Sequence, residues 1–304
     1  MAEAQPILVV GSVALDDIET PTERRPESLG GSGTFFSATA SLFAPVRVVA
    51  VVGDDFPEAH LDALRHRAVD LSGLERVPGR TFRWRGRYGA DFGDAETLDT
   101  QLNVFEHFDP KIPASHRASP VVFLANIHPA LQLKVLDQIE KPRLVGLDTM
   151  NFWITGERTL LGQVLSRIDV LVINETEAEL LSGEANIFRA ADRIRAMGPQ
   201  ILVIKRGRFG ALLFHPDGVF FVPAVPLRDV VDPTGAGDTF AAGMMGWLAA
   251  AADDDFATFK RAVVNGTVTA SFAVQGFSLD RVLSVGLPEI QARTAELLRL
   301  MDPN

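Results

Sequence analysis

Nine consecutive residues, Asp232 to Phe240 (DPTGAGDTF), combine a turn, two glycines, a carboxylate and the start of an apolar helix. Pro and Gly suit the second and fourth positions of a tight turn, here Asp232 to Gly235. The amides that follow would point out of the helix N-terminus, where unpaired N–H groups and the helix dipole bind an anion. These amides belong to Gly235, Ala236 and Gly237. Asp238 could then take a proton from a hydroxyl while the amides neutralise a transferred group, although Asp and Gly could also form a plain helix cap.

The remaining sequence contains no competing phosphate motif. There is no Gly followed by Lys, as a Walker A loop requires, and no complete G-x-G-x-x-G. A nucleotide must therefore be held in another way.

The chain alternates short apolar runs with helical stretches. The apolar runs are continuous, as expected of strands buried on both faces, and comprise Ile7–Val10, Val46–Val52, Val121–Leu124, Leu144–Leu147, Val170–Ile173 and Ile201–Ile204. The helix candidates are Phe35–Leu42, Pro57–Arg67, Ala130–Ile139, Gly162–Ile168 and Ile187–Met197. This alternation predicts a doubly wound α/β fold with a central, mostly parallel sheet. A hairpin is predicted over Arg208–Val225, and helices are predicted after Pro233.

A different pattern interrupts this alternation between Thr81 and Tyr88 (TFRWRGRY). Apolar and basic residues alternate there, which predicts a strand with one wet face. The apolar face would carry Phe82, Trp84 and Tyr88, and the other face Arg83, Arg85 and Arg87. Leu98–Phe105 alternates similarly, so the two strands could pair as a small sheet that acts as a lid, a dimerisation surface or a structural edge. The arginines would form its solvated face or meet a phosphorylated ligand.

The composition limits the class of protein. The chain has 304 residues, 47% of them hydrophobic, which is enough for a full core and is the size of one large α/β domain or two small ones. Its net charge of -10 argues against nucleic-acid or anionic-lipid partners, and the absence of cysteine excludes disulfides and thiolate chemistry. The N-terminus does not resemble a signal peptide, and no apolar run is long enough to span a bilayer. We therefore expect a cytoplasmic protein without a membrane partner.

With the other motifs of the chain, Asp232–Phe240 resembles the C-terminal signature of the ribokinase family, also called PfkB carbohydrate kinases. Further matches follow the family's order and span nearly the whole chain: Gly11, Ser12 and Asp16; Gly30 and Gly31 (GGSGTFF); Gly53 and Asp54 (VVGDD); Asn174 to Glu177 (NETE); Lys205, Gly207 and Gly210 (KRGRFG); and Asn265. The resemblance implies a three-layer α/β/α sandwich with a central mostly parallel sheet and a small β-sheet lid. It implies a single domain over residues 1–304, with lid segments at approximately 13–30 and 80–107.

The resemblance also implies a reaction, in which ATP phosphorylates a hydroxymethyl group of a sugar or related polyol. Asp238 would be the base, and the amides of residues 235–237 the anion hole. Asn174 and Glu177 would organise a hydrated Mg²⁺, an ion that binds through few protein carboxylates. The nucleotide would also contact Lys205, Gly207, Gly210 and Asn265, and the substrate Asp16, Gly30 and Gly31. Asp232 and the backbone of Thr234 resemble part of a monovalent cation site, which would hold K⁺.

The predicted substrate pocket departs from the family pattern. Where ribokinase-type members carry two asparagines, this chain has Ala14 and Phe35, and a phenyl ring cannot replace the hydrogen bonds of an amide. Phe35 and Phe36 are either pocket walls for a larger substrate, such as a nucleoside, or core residues. Asn126 and His128 follow one buried strand and Asn151 follows another, at the edge where open α/β sheets bind ligands. All three are either further substrate candidates or ordinary loop residues at strand ends.

Two alternatives to a sugar kinase therefore stay open. One is a nucleoside kinase of the same family, and the other is a catalytically weak nucleotide- or sugar-binding regulatory protein. A homodimer through the β-lid is a further expectation.

Overall fold

The computed structural model describes residues 4–90, 92–93 and 95–302. Asp91 and Asp94, within the predicted lid segment 80–107, and both ends of the predicted 1–304 domain lie outside the described residues. The strands are β1 (Ile7–Val10), β2 (Ala14–Glu19), β3 (Arg24–Gly30), β4 (Val46–Gly53), β5 (Asp70–Val77), β6 (Arg83–Arg87), β7 (Glu96–Gln101), β8 (Val121–Leu124), β9 (Leu144–Leu147), β10 (Val170–Asn174), β11 (Ile201–Lys205), β12 (Ala211–His215) and β13 (Gly218–Val222).

Helices occupy most of the remaining chain. They are α1 (Ser32–Ala40), α2 (Glu58–His66), α3 (Ala114–Arg117), α4 (Pro129–Leu136), α5 (Asn151–Gly156), α6 (Arg158–Leu165), α7 (Glu175–Ser182), α8 (Ile187–Arg195), α9 (Ala236–Ala250), α10 (Phe256–Ala273), α11 (Asp280–Ser284) and α12 (Leu287–Met301). Short 3-10 helices cover Asn103–His107 and Gly207–Phe209. Among the described helices, none has the length and apolarity that a bilayer crossing requires.

The central sheet, as far as the chain is described, has nine strands in the order β13-β12-β11-β10-β9-β8-β1-β4-β5. Neighbours from β11 to β5 are parallel, and the β12–β13 hairpin adds antiparallel pairings at one edge. Ile7 and Val9 of β1 enter one apolar layer, whereas Leu8 and Val10 enter the other. Burial on both faces explains the continuous apolar runs in the sequence. The predicted three-layer sandwich with a mostly parallel sheet is confirmed.

Strand β5 was not among the predicted strands. It pairs only with β4 in the described sheet and lies at its edge. Its sequence, DLSGLERV, mixes charged and apolar residues because an edge strand is partly exposed. The apolar-run criterion therefore missed it.

A second, smaller sheet has the order β3-β2-β6-β7. The predicted pairing of the two alternating segments is found, since β6 and β7 are antiparallel neighbours. The predicted strand Leu98–Phe105 is wrong in its second half, where Asn103–His107 form a 3-10 helix. The ring of Phe105 stacks there between Phe82 and Phe108, with centroids 5.4 Å from each. This aromatic packing stabilises the 3-10 helix more than a longer β7 strand would be stabilised by further pairing.

The outer face of the small sheet is a network of ion pairs. Strand β2 lies parallel to β6, with Asp17 opposite Arg85 and Glu19 opposite Arg87. The Nε atom of Arg87 lies 3.1 Å from Glu19, and Arg83 contacts Asp55 at 2.9 Å. Each of the three arginines of β6 therefore forms an ion pair with a neighbouring acidic residue. The other face contributes Ile18, Trp84 and Tyr88 to an apolar cluster with Phe277.

Candidate active site

The loop before α9 forms a turn one residue later than predicted. The N–H of Ala236 donates to the carbonyl of Pro233 at 3.1 Å, and Gly235 occupies the left-handed third position with φ of 72°. The helix begins where the N–H of Thr239 donates to Gly235 O at 2.8 Å. The Ala236 N–H, one of the three predicted anion-hole amides, is thus already hydrogen-bonded within the turn. Within the described residues, the N–H groups of Gly235 and Gly237 have no protein acceptor.

The aromatic ring of Phe35 supports this turn from behind. A Cβ atom at Gly235 would overlap the Phe35 ring, so only glycine allows the loop to lie so close to α1. Phe35 is 1% exposed, and the neighbouring Phe36 stacks on Phe123 with centroids 4.4 Å apart. The structure therefore places Phe35 in the core behind the loop, and the predicted pocket wall is not formed by this side chain.

Asp238 lies in the first turn of α9, where it is half-buried among other charged groups. Burial, and next the negative charge of Asp148, raise the pKa of Asp238 to about 7, while Lys205 and the backbone amide of Asp238 act in the opposite direction. Glu177 adds a smaller upward effect. A carboxyl with a pKa near neutrality suits a general base, because it is ionised in part and still accepts a proton readily.

Lys205 supplies the positive charge at this site. Its Nζ atom lies 3.8 Å from Asp148 Oδ1, and a Cβ atom at Gly237 would lie 3.0 Å from the same nitrogen. Burial lowers the pKa of Lys205, but the carboxylates of Asp148, Glu177 and Asp238 outweigh burial and raise it overall. The ammonium therefore stays charged beside the N-terminus of α9, where it reinforces the attraction for an anion.

The predicted magnesium motif at Asn174 and Glu177 is a capping box of α7. Asn174 Oδ1 accepts from the Glu177 N–H, and Glu177 Oε2 accepts from the Asn174 N–H, both at 2.8 Å. Glu177 is buried. The described residues contain no group of three or more metal-ligating side chains. This donor set nevertheless fits Mg²⁺, which keeps most of its waters and takes few carboxylates.

A pocket of about 600 Å³ opens beside the α9 N-terminus. The predicted nucleotide residues Lys205, Gly207 and Gly210 line it, as does Gly237. On α10 the lining residues are Thr267, Ala270 and Ser271. Asn265 does not line this pocket, because its side chain is buried and donates to the carbonyl of Gly243 at 2.7 Å. The structure therefore assigns Asn265 to the packing of α10 on α9.

Asp16 and the first glycine pair lie at the root of the small sheet. A Cβ atom at Gly30 would overlap the Asp16 carboxylate, and Gly31 has φ of 94° at the N-terminus of α1. Burial, and next the charge of Asp232, raise the pKa of Asp16 to about 8, with a smaller effect of Asp238. Gly30 thus makes room for a carboxyl that shares an electrostatic environment with the predicted base, whereas a Cβ atom at Gly31 would overlap the backbone of Ser12.

The two residues predicted for a cation have protein partners. Asp232 is fully buried; its Oδ1 accepts from the Thr234 N–H and its Oδ2 from the Ser278 N–H, each at 2.9 Å. The hydroxyl of Thr234 donates to the hydroxyl of Tyr88 at 3.1 Å.

The substrate candidate Asn126 also has a protein partner. Its Oδ1 accepts from the indole N–H of Trp153 at 3.0 Å. His128 caps α4 by accepting from the Ala130 N–H, and its ring contacts Trp153 edge-on. These residues therefore form one polar and aromatic cluster at the ends of β8 and β9.

Comparisons with known proteins show the family of the chain. The model of the pfkB family carbohydrate kinases matches residues 135–283. The cytidine kinase of Thermococcus kodakarensis is 32% identical over 250 residues, which cover 79% of this chain and 87% of that protein. The chain belongs to the pfkB carbohydrate kinase family. This kinase is an ATP-dependent phosphotransferase that acts on an alcohol group of a small molecule.

Other relatives of this pfkB-family kinase are more distant. The 2-dehydro-3-deoxygluconokinase of Thermoproteus tenax is 26% identical over 275 residues, 79% of each chain. Among solved structures, an Escherichia coli protein provisionally named ribokinase II, in complex with ATP and Mg²⁺, superposes with a TM-score of 0.80. That match covers 96% of this chain and 99% of the other at 18% identity, and it supports the fold alone.

Two residues of the site of this pfkB-family kinase, Asp148 and Tyr88, were not predicted from the sequence. Asp148 directly follows the buried strand β9, just as Asn174 and Lys205 end β10 and β11. Its position at the carboxyl edge of a parallel sheet was the available signal. Tyr88 was assigned only to the apolar face of the lid, because its contact with Thr234 joins residues 146 positions apart.

Proposed function

We propose that this kinase transfers the γ-phosphoryl group of ATP to the hydroxymethyl group of a nucleoside, with Asp238 as the base. The observation that carries this proposal is the half-buried Asp238 at the N-terminus of α9, flanked by Lys205 and by the pocket. ATP would lie in that pocket with its phosphates toward Gly237 and Lys205. The acceptor would lie on the side of Asp16.

In the proposed reaction, the acceptor hydroxyl oxygen bonds to the γ-phosphorus as the bond from that phosphorus to the bridging oxygen of ADP breaks. The hydroxyl proton moves to Asp238. The free amides of Gly235 and Gly237 and the Lys205 ammonium stabilise charge on the transferring group. Phosphoryl transfer demands mainly such positioning and charge stabilisation.

Glu177, with Asn174 holding its backbone in the capping box, would hold the hydrated Mg²⁺. When bound, this ion neutralises phosphate charge. For K⁺, both oxygens of Asp232 already accept backbone amides, so we derive no step through a monovalent cation. Rates in potassium chloride and in choline chloride, compared at equal ionic strength, test the predicted K⁺ requirement.

The choice of a nucleoside rests on two observations. The cytidine kinase relative matches most of the chain, and the two amides typical of ribokinase-type substrate pockets are replaced by Ala14 and Phe35. A sugar or sugar acid is the second candidate, since a 2-dehydro-3-deoxygluconokinase is also related.

The direct test is substrate-dependent ADP release with a panel of acceptors. The panel contains cytidine, inosine, aminoimidazole riboside, ribose and 2-dehydro-3-deoxygluconate, each with ATP and Mg²⁺. Phosphorylation of at least one nucleoside, with kcat/KM at least tenfold above that of ribose, supports the proposal. Preferential turnover of a sugar would move the enzyme to the second candidate. Ligand-dependent thermal stabilisation without turnover of any compound would instead support the regulatory alternative.

Two expectations about the whole protein also stay predictions. A homodimer through the small sheet would double the mass measured by light scattering. A cytoplasmic location would be checked by fractionating cells that express the chain.

A further inference from the structure

The chain contains a single tyrosine, Tyr88, which directly follows β6 of the small sheet. Its backbone N–H donates to the carbonyl of Glu19 at 2.8 Å, which ties it to the end of β2. Its ring is 9% exposed and packs with Ile18 and Phe277. A phenylalanine could fill that space equally well. The hydroxyl group therefore requires a separate explanation.

That hydroxyl contacts the loop that precedes α9. It accepts a hydrogen bond from Thr234 Oγ1 at 3.1 Å, and Thr234 is adjacent to Gly235. The backbone of Thr234 is in turn held by Asp232 through the 2.9 Å bond from its N–H. The small sheet thus reaches the loop one residue before the proposed anion hole begins.

The hydroxyl lies within the electrostatic influence of three carboxylates. Burial, chiefly, raises the pKa of Tyr88, and the carboxylates of Asp232, Asp16 and Asp238 raise it further. The phenol therefore stays neutral and can serve as a hydrogen-bonding group at any physiological pH. Its electrostatic neighbours include both the proposed acceptor-binding carboxyl and the proposed base.

A second link joins the small sheet to the same loop. The hydroxyl of Ser278 donates to the carbonyl of Leu29 in β3, while the Ser278 N–H donates to Asp232 Oδ2. The loop is thereby held from two strands of the small sheet, through Thr234 on one side and Asp232 on the other. Its conformation depends on where that sheet lies.

We propose that Tyr88 is a positioning residue, whose hydroxyl couples the small sheet to residues 232–238 and holds the anion-hole amides in place for phosphoryl transfer. The coupling affects turnover only if this loop is the anion hole, so the kinetic role of Tyr88 rests on the proposed function. The contact itself does not.

The kinetic test uses Tyr88→Phe, which keeps the ring and removes the hydroxyl. We expect kcat with the best acceptor of the panel to fall about three- to tenfold, the range that one neutral hydrogen bond supports, with KM for ATP changed less than twofold. The double variant Tyr88→Phe/Thr234→Val should be no slower than the slower single variant, because both changes remove the same bond. Multiplicative effects of the two changes, or an unchanged kcat for Tyr88→Phe, would overturn the proposal.

Thr97→Val is the matched control. It removes the bond from Trp84 Nε1 to Thr97 Oγ1, 3.2 Å long, which lies entirely within the small sheet. We expect its kcat to stay within twofold of wild type. A decrease equal to that of Tyr88→Phe would show that any loosening of the sheet slows turnover, and would contradict a specific role of Tyr88.

A second measurement does not depend on finding the acceptor. Because there is one tyrosine, 3-fluorotyrosine labelling produces a single ¹⁹F resonance from the whole chain. We expect this resonance to shift in Thr234→Val, and to move when the non-hydrolysable analogue AMP-PNP binds with Mg²⁺ to the wild type. If neither change moves it, the coupling is absent even if the enzyme is a nucleoside kinase. If it responds but no panel compound is phosphorylated, the proposed function fails and the contact stands.

Discussion

The loop at residues 232–238 and the small sheet meet at the same site but arise from the sequence in different ways. The loop is a continuous segment whose turn, glycines and carboxylate are adjacent along the chain. The small sheet joins two segments, and its contact with the loop spans 146 residues. Local sequence therefore determines the candidate reacting groups, whereas long-range pairing determines what encloses them.

The largest expected effect lies in the loop. Asp238→Asn should lower kcat by about 10²- to 10⁴-fold, because an amide cannot accept the hydroxyl proton. The melting temperature should not fall, since the change removes a charge that the surroundings of Asp238 disfavour. Turnover and thermal unfolding measure the two effects. Asp253→Asn, on the exposed turn after α9, is the control and should match wild type in both. Near wild-type turnover by Asp238→Asn would rule out this base.

Gly235→Ala should show how tightly the loop packs. The backbone at this position is left-handed, with φ of 72°, and the new Cβ atom would overlap the Phe35 ring. Overpacking and the conformational penalty together should cost about 2–4 kcal/mol of unfolding free energy, measured with denaturant, and kcat should fall at least about tenfold.

Gly183→Ala separates the conformational penalty of the backbone from the overpacking against Phe35. Gly183 has the same φ of 72°, but a Cβ atom there would meet nothing within 4 Å. We therefore expect a cost of about 1 kcal/mol, from the backbone alone. Equal costs at the two glycines would show that Phe35 does not constrain the loop.

The acid side of the pH profile reports on Asp238. Its pKa is raised to about 7, and the base acts only when ionised, so kcat/KM should fall about tenfold per pH unit below about 7. The measurement is kcat/KM from pH 5 to pH 9. The residual activity of Asp238→Asn should lack this acid limb; if the limb persists, another group is responsible.

Asp16, in the small sheet, should make the folded protein less stable as the pH rises. Its pKa rises from 3.8 to about 8 on folding, so the protonated form favours the folded state. This contribution is complete below pH 3.8 and is lost as the pH rises through about 8. Between pH 5 and pH 8 the wild type should therefore lose unfolding free energy relative to Asp16→Asn. A constant difference between the two proteins would contradict the raised pKa.

The smallest effect is expected on the outer face of the small sheet. Arg85→Gln breaks exposed pairs with Asp17 and Glu19, at 3.6 and 3.8 Å, and should cost less than about 0.5 kcal/mol. KM for ATP and for the acceptor should not change. A rise in either KM above twofold would restore the alternative that these arginines meet a phosphorylated ligand.

Much of the fold could be predicted because the buried strands are continuous apolar runs. Val121–Leu124 and Leu144–Leu147 have the same bounds in sequence and structure. The edge strand β5 has no continuous apolar run. Phe105 was predicted in a strand, but its ring stacks on Phe82 and Phe108 instead. In the site, the predicted nucleotide residues Lys205, Gly207 and Gly210 line the pocket, whereas Asn265 and Phe35 are packed between helices and the loop. Residue type alone could not distinguish these roles.

The sequence by itself indicated the family and the segment that carries the candidate base, because both are recognised from short motifs in their order along the chain. Only the tertiary structure decided that Phe35 supports the loop, that Asp148 faces Lys205, and that Tyr88 reaches Thr234. Each of these contacts joins distant segments. Their formation depends on how strands pair and helices pack, which no local pattern specifies.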